Sequence, residues 1–295
     1  MESNHIGAVD LHIHTTASDG SLTVREIFRL ARKLKLAAIA ITDHDTLAGT
    51  IEALNQGIPN DLGFLTGVEI STQAPKEISL SGSLHILGYG VRLNDPDLNE
   101  ILTKLRESRA NRNPAIIERL GQIGIDITYA QLANSFKDAQ LGRPHIAQLL
   151  VKKGYATSIN EAFDRYLTCD TPGYVEKYRI DCRRAVEAVR QAGGVAVLAH
   201  PVLLNLSDAQ LEALLGMLTR AGLKGIEVYF PEHSRSQTAL YQSLARRYSL
   251  IETGGTDFHG AVTPDIQMGI GTGELRVPYS AYENIHTFLN TNDML

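Results

Sequence analysis

Short apolar runs, several ending in a histidine or a carboxylate, recur along this chain between helical stretches. That alternation limits the fold more than any other feature. Ala8-Val9-Asp10-Leu11-His12 has the character of a strand. Thr23 to Lys35 has that of a helix, because Thr23 with Glu26 makes a capping-box pair and Ile27, Leu30, Ala31 and Leu34 fall on one face. Ala38-Ile39-Ala40-Ile41 is apolar throughout, as a parallel strand covered on both faces must be. A short helix and two more strands, Phe64 to Ile70 and His85 to Tyr89, complete the first block. After Gly173 the alternation resumes with strands at Val195–Ala199, Gly225–Tyr229 and Leu250–Thr253, and helices between them. Strands alternating with helices imply a parallel α/β architecture, either a barrel or an open sheet.

Between Asp95 and about Leu167 the strand signals stop. Leu98, Ile101, Leu102 and Leu105 begin a helical stripe that Ile116, Ile117 and Leu120 continue, and Gly142-Arg143-Pro144-His145 opens another helix. An all-helical block inside a strand–helix series implies an insertion. The expected organisation is a catalytic domain from residues 1–93 and 171–295, with an inserted helical cap over 94–170.

Composition excludes several alternatives. Hydrophobic residues make up 43% and charged residues 21% of the 295 residues, ordinary globular usage. The net charge of −5 gives no basic footprint for duplex DNA. Cys169 and Cys182 form no C-x-x-C pair, so neither a disulfide framework nor a thiolate zinc site is expected, and a reducing cytoplasm fits. Met1 to Val9 lacks a basic segment followed by an apolar one, and no apolar run approaches the roughly 20 residues of a membrane helix. The expectation is a soluble cytoplasmic protein with no membrane partner.

The strand ends carry the chemistry. His12 and His14 stand two apart, a spacing that puts both side chains on one face of a strand. Asp19 follows in a loop, Asp43, His44 and Asp45 follow the second strand, Glu69 closes the third, and His85 begins or precedes the fourth. His200 ends a later strand, and Asp257 and His259 follow the last. Imidazole and carboxylate suit zinc, manganese and iron, and sites in parallel α/β folds gather at the carboxyl ends of strands. Asp43 and Asp45 also fit N-caps of the helix that begins near Leu47.

These segments resemble the PHP (polymerase and histidinol phosphatase) superfamily. Asp10 to Thr15 with Ser18-Asp19-Gly20 is similar to its first motif, and Ile41-Thr42-Asp43-His44-Asp45 to its second. Gly67 to Ile70, His85 to Gly88, Ala199-His200-Pro201 and Gly255 to His259 match the rest in order. The resemblance implies a distorted seven-stranded β/α barrel holding two to three divalent ions of manganese, zinc or iron. It implies that His12, His14, Glu69 and Asp257 hold the first ion. Glu69 then bridges to a second with His85 and His200, and Asp19, His44 and His259 hold a third. The implied reaction is hydrolysis of a phosphate ester by a hydroxide generated between the ions.

The helical insertion resembles that of the nucleoside 3′,5′-bisphosphate phosphatase and 5′-3′ exoribonuclease subgroup. The implied substrate is a small nucleotide or the 5′-phosphorylated end of a short RNA. Several members of that subgroup carry Gly-Arg-Tyr after the His-Pro pair, where this chain has Val202-Leu203-Leu204. Two other readings are a phosphatase for another metabolite, such as histidinol phosphate, and a non-catalytic metal-binding scaffold. Besides Glu69, two residues are candidates for work on substrate. Arg143 is placed to reach a phosphate from the cap, and His233, after a strand end, to bind phosphate or protonate the leaving group. His145 fits a packing role equally well, and Arg106, Arg109 and Arg112, at near-helical spacing, fit a path for an anionic substrate but are expected on a solvated helix face.

Overall fold

The computed structural model describes residues 7–80, 82–136, 141–176 and 178–292. Residues 1–6, on which part of the leader reading falls, lie outside the described residues. The first block runs β1 (Val9–Ile13), α1 (Val24–Lys33), β2 (Ala38–Ile41), α2 (Ala48–Gln56), β3 (Gly63–Gln73) and β4 (Leu84–Tyr89). Thr23 caps α1 through the capping box read from the sequence. Then come α3 (Pro96–Gln122), α4 (Tyr129–Ser135), α5 (Arg143–Lys152), α6 (Ile159–Ala162) and a π-helical turn at Phe163–Leu167. The chain returns through β5 (Ile180–Asp181), α7 (Cys182–Gln191), β6 (Val195–Leu198), α8 (Asp208–Ala221), β7 (Gly225–Tyr229), α9 (Arg235–Tyr248), β8 (Ile251–Gly254) and α10 (Tyr279–Asn292).

The strands order as β1-β2-β3-β4-β6-β7-β8, with β5 pairing β3 off that path. Edge closes on edge. Ile13 bridges Phe258 just beyond β8, and the His14 amide donates to the Phe258 carbonyl at 2.9 Å. The result is a nearly closed barrel wrapped by helices. Leu11, Ala40, Leu65, Leu87, Tyr89 and Val197 fill its interior.

The parallel expectation fails at one strand. β4 runs antiparallel to both β3 and β6. Among the described residues no helix lies between β3 and β4. A connection this short reverses the chain, whereas a parallel neighbour needs a crossover of a dozen residues or more. The reversal matters for the site. The other strands present their carboxyl ends at the site-bearing mouth of the barrel, and β4 presents its beginning there, which is where His85 lies.

The inserted helices carry a core of their own, including Ile116, Leu120, Ile146, Leu150 and Leu167. Helix α3 joins that core to the barrel, since its first half packs Leu98, Leu102 and Leu105 with α7 residues. Among the described residues no helix is long and apolar enough to cross a membrane.

Candidate metal centre

Glu69 sits at the middle of the site, buried on β3. Its Oε2 lies 3.5 Å from His12 Nε2, 3.3 Å from His14 Nε2 and 2.8 Å from His44 Nδ1. Its Oε1 lies 2.7 Å from His85 Nδ1 and 2.9 Å from His200 Nε2. Asp257 Oδ1 is 3.3 Å from His12 Nε2 and 3.0 Å from His14 Nε2. Asp19 completes the cluster, with oxygens 3.4 Å from His259 Nε2 and 3.7 Å from His44 Nε2. The residues singled out as ligands in the sequence thus converge on one point. The donor atoms of eight of them fall into three overlapping groups, His12/His14/Glu69/Asp257, His44/Glu69/His85 and His14/Asp19/His44/His259, and the second group contains His44 where the resemblance implied His200.

The residues fit metal ions. His12 Nε2, His14 Nε2, Asp19 Oδ1, His44 Nδ1, Glu69 Oε2, His200 Nδ1 and Asp257 Oδ1 are buried without a hydrogen bond. Buried polar atoms are nearly always satisfied, so this concentration in one spot marks a place for cations. Divalent ions held there would supply an acidified water and offset charge on a phosphoryl oxygen. Two of the ligand residues also sit on unusual backbone: His200 has φ 26° and Asp257 φ 53°. Such left-handed conformations cost of order 1–3 kcal/mol each and persist where surrounding structure enforces them.

Without metal, protons bind the cluster together. Burial opposes charge on His14, yet Asp257 and Glu69 outweigh it and raise the imidazole from 6.5 to about 10. Burial would likewise raise Glu69, but His44, His85 and His12 hold its carboxyl well below the usual range. His85 differs: burial, aided by His44 and His200, takes it down to about 4. A metal must displace the His14 proton, so metal affinity is expected to rise with pH from 6.5 towards about 10, with proton release on binding. Titration calorimetry in buffers of different ionisation enthalpy measures this; an affinity flat across that range would contradict it.

A second layer of carboxylates holds the cluster residues in place, and the sequence alone points to no role for its most buried member. Glu227, fully buried on β7, sits 3.2 Å from His12 Nδ1 and accepts from the His200 amide at 2.7 Å. It orients one ligand ring and the backbone of another. The available signal was a lone carboxylate inside the apolar strand Gly225–Tyr229. Glu227→Gln is expected to lower metal affinity about 10- to 100-fold while the fold persists; unchanged metal content after dialysis would refute the role. Asp10 works similarly, accepting from the Thr256 amide at 2.9 Å and its hydroxyl at 2.6 Å, which anchors the Asp257 loop.

Neither Asp43 nor Asp45 caps a helix. The N-cap of α2 is Leu47, with no side-chain hydrogen bond. Asp43 instead accepts from the Thr15 amide at 2.8 Å and the Ser18 hydroxyl at 2.6 Å, shaping the loop that carries Asp19. Asp45 accepts from the Ser71 amide at 2.7 Å and from Arg109 Nη2 at 3.1 Å.

That contact overturns the solvated-face reading of the α3 arginines. Arg109 and Arg112 are buried, and only Arg106 keeps a half-exposed place beside Thr103. Helical periodicity identifies which residues share a face but not what covers it. Here the barrel and the returning chain cover it, and Arg112 Nε donates to the Val175 carbonyl.

Arg143 Nη1 donates to Leu167 O at 3.0 Å, and its guanidinium lies 5.6 Å from the centre of the Phe163 ring. It lines a cleft of about 110 Å³ together with Asp19, His44, His85, Arg109, Arg112 and Arg179. His233 stands further back. Its Nδ1–H donates to Val228 O at 2.8 Å, and Phe230 lies in ring contact with both His233 and His200. His145 accepts the Gly142 amide at 3.1 Å and packs on Phe136, the packing role. Val202-Leu203-Leu204 forms part of a 3₁₀ turn, pressed so closely by Gly82 that a Cβ there would lie 1.6 Å from the Leu203 carbonyl.

A family model for the PHP domain matches residues 10–285, which contain every residue of the cluster described above. The chain belongs to the PHP domain family. It is 33% identical to a 3′,5′-nucleoside bisphosphate phosphatase of Chromobacterium violaceum, over 85% of this chain and 87% of that protein. It is 32% identical to the 5′-3′ exoribonuclease Rnm of Escherichia coli, over 91% and 90% respectively. Among solved structures it resembles one from Bifidobacterium adolescentis, whose name proposes a metal-dependent phosphoesterase. That likeness has TM-score 0.82 and 31% identity, and covers 95% of this chain and 96% of that one.

Proposed function

We propose that this chain hydrolyses the 3′ phosphate ester of a nucleotide carrying a second, 5′ phosphate, either a 3′,5′-bisphosphonucleoside or the 5′-phosphorylated end of a short RNA. As a PHP-family chain with a complete histidine and carboxylate cluster, it is a metal-dependent phosphoesterase. The substrate reading rests on one observation. Arg112, Arg143 and Arg179 line the cleft that opens on Asp19, His44 and His85, and among the described residues none of the three makes an ion pair. Burial and the neighbouring guanidiniums push Arg112 down to about 9 and Arg143 to about 10. That is uncompensated positive charge beside a phosphate-cleaving centre, and a second phosphate would relieve it.

In this reading, Arg143 and its two neighbours hold the 5′ phosphate while the 3′ phosphate lies against the cluster. Arg109, tied to Asp45, anchors α3 over the barrel mouth, and residues 94–170 act as the cap. His233 is the weaker candidate for proton transfer, since its Nδ1 is engaged by the Val228 carbonyl and it lines neither cleft that opens on the cluster. The ions are two or three of manganese, zinc or iron, on donor chemistry. The two free cysteines support a cytoplasmic site. By name, the Chromobacterium relative acts on 3′,5′-nucleoside bisphosphates and the Escherichia relative on RNA as a 5′-3′ exoribonuclease.

The test is a phosphate-release panel with manganese-loaded protein: 3′,5′-bisphosphonucleosides, mononucleotides, sugar phosphates, histidinol phosphate and 5′-phosphorylated oligoribonucleotides. Preference for substrates with two phosphates supports the reading. Turnover of histidinol phosphate alone would sink it, and no turnover of any ester would favour the metal-binding scaffold.

A further inference from the structure

The metal cluster opens on two sides. One side is the arginine-lined cleft. The other is a larger cleft of about 740 Å³ between α5, α6 and the loop 260–266. Both share Asp19 and His44 at the floor and Pro144 and Phe163 as the partition between them. Phe163 begins the π-helical turn, a rare conformation frequent at functional sites. The two sides differ in chemistry. Val151, Ile159, Val262 and Ile266 wall the larger cleft, and its charged groups outside the cluster are Glu232 and Asp265. No lysine or arginine is among its described lining residues.

We infer that this second cleft receives the group beyond the scissile phosphate, accepting one uncharged nucleoside-sized arm and rejecting a further phosphate. The inference rests on the two-phosphate reading above. With the 5′ phosphate among the arginines and the scissile phosphate at the cluster, whatever else is esterified to that phosphate lies on the opposite side. Water adds to phosphorus, the bond from phosphorus to the 3′ oxygen breaks, and that oxygen takes a proton. The arm beyond remains on the released phosphate. The cleft is large enough for a nucleoside, and its apolar walls suit a base. A next phosphate would lose hydration against those walls and face carboxylates rather than guanidiniums. Substrates therefore end one nucleoside beyond the scissile phosphate. The chain acts on bisphosphonucleosides and 5′-phosphorylated dinucleotides in preference to longer RNA.

The test is a length series on the manganese-loaded protein at low ionic strength: a 3′,5′-bisphosphonucleoside, then 5′-phosphorylated di-, tri- and tetraribonucleotides of one sequence. kcat/KM is expected to fall at least about tenfold between dimer and trimer, and the gap to narrow as added salt screens the exposed rim charges. Binding of phosphorothioate analogues, measured by calorimetry, is expected to break at the same length. The paired substitution Glu232→Gln with Asp265→Asn is expected to raise the trimer-to-dimer ratio about threefold or more. A kcat/KM that holds level or rises with length overturns this inference alone. Absence of turnover across the whole series overturns the nucleotide reading as well.

Discussion

Glu69→Ala is expected to abolish phosphoesterase activity and strip metal from the protein. The carboxylate touches five histidines, His12, His14 and His44 through one oxygen and His85 and His200 through the other. It belongs to two of the three ligand groups, so its removal weakens both together. Ions in such a centre contribute several kcal/mol of transition-state stabilisation, and each 1.36 kcal/mol is tenfold in rate. Loss of about 4 kcal/mol predicts a fall in kcat of about 10³-fold or more, alongside reduced metal content by elemental analysis. The truncation also leaves several imidazoles without their central anion, so circular dichroism must accompany the assay. A folded variant that kept both metal and activity would remove Glu69 from the bridging position.

Arg143→Ala is the second large effect, and it is selective. Charged hydrogen bonds contribute about 1.5–3 kcal/mol, which converts to roughly 10- to 100-fold in kcat/KM. The loss is expected for substrates with two phosphates and not for a simple monoester, because only the former place an anion among the arginines. Arg143→Lys is expected to recover part of it, since an ammonium keeps the charge but not the fork of donors. Arg112→Ala should follow the same pattern, with an added stability cost because its Nε also ties α3 to the Val175 carbonyl. Equal loss on both substrate types would mean that Arg143 acts through the Leu167 and Phe163 contacts, as part of the packing of the helical segment.

The contrast between Glu69 and Arg143 tracks how each was legible. The cluster residues are written locally: His12 lies near the end of an apolar run with His14 two residues on, and His44, His200 and Asp257 follow apolar runs. Strand direction then carries them to one mouth of the barrel. The strand–helix rhythm likewise foretold the barrel strands to within a few residues. It misjudged β4, because a hairpin between two apolar strands leaves no helical signal to read, and direction depends on the connection rather than on the strand's composition.

Buried charge was the other blind spot. Arg109, Arg112, Asp45 and Glu227 look like solvated face, helix cap and plain strand when only neighbours in sequence are considered. Each is buried in the structure because a segment far along the chain covers it and supplies its partner. Arg109 meets Asp45 across 64 positions, and Glu227 meets His12 across 215. The sequence by itself carried the strand–helix alternation, the motifs of the family resemblance and the residues of the histidine and carboxylate cluster, since periodicity and short motifs are local properties. Only the tertiary structure decided which arginines line the cleft beside the cluster, which carboxylates brace its histidines, and how the cluster opens into one basic and one apolar cleft. Those outcomes depend on what comes to cover each side chain, and burial between distant segments leaves no periodic trace in the chain.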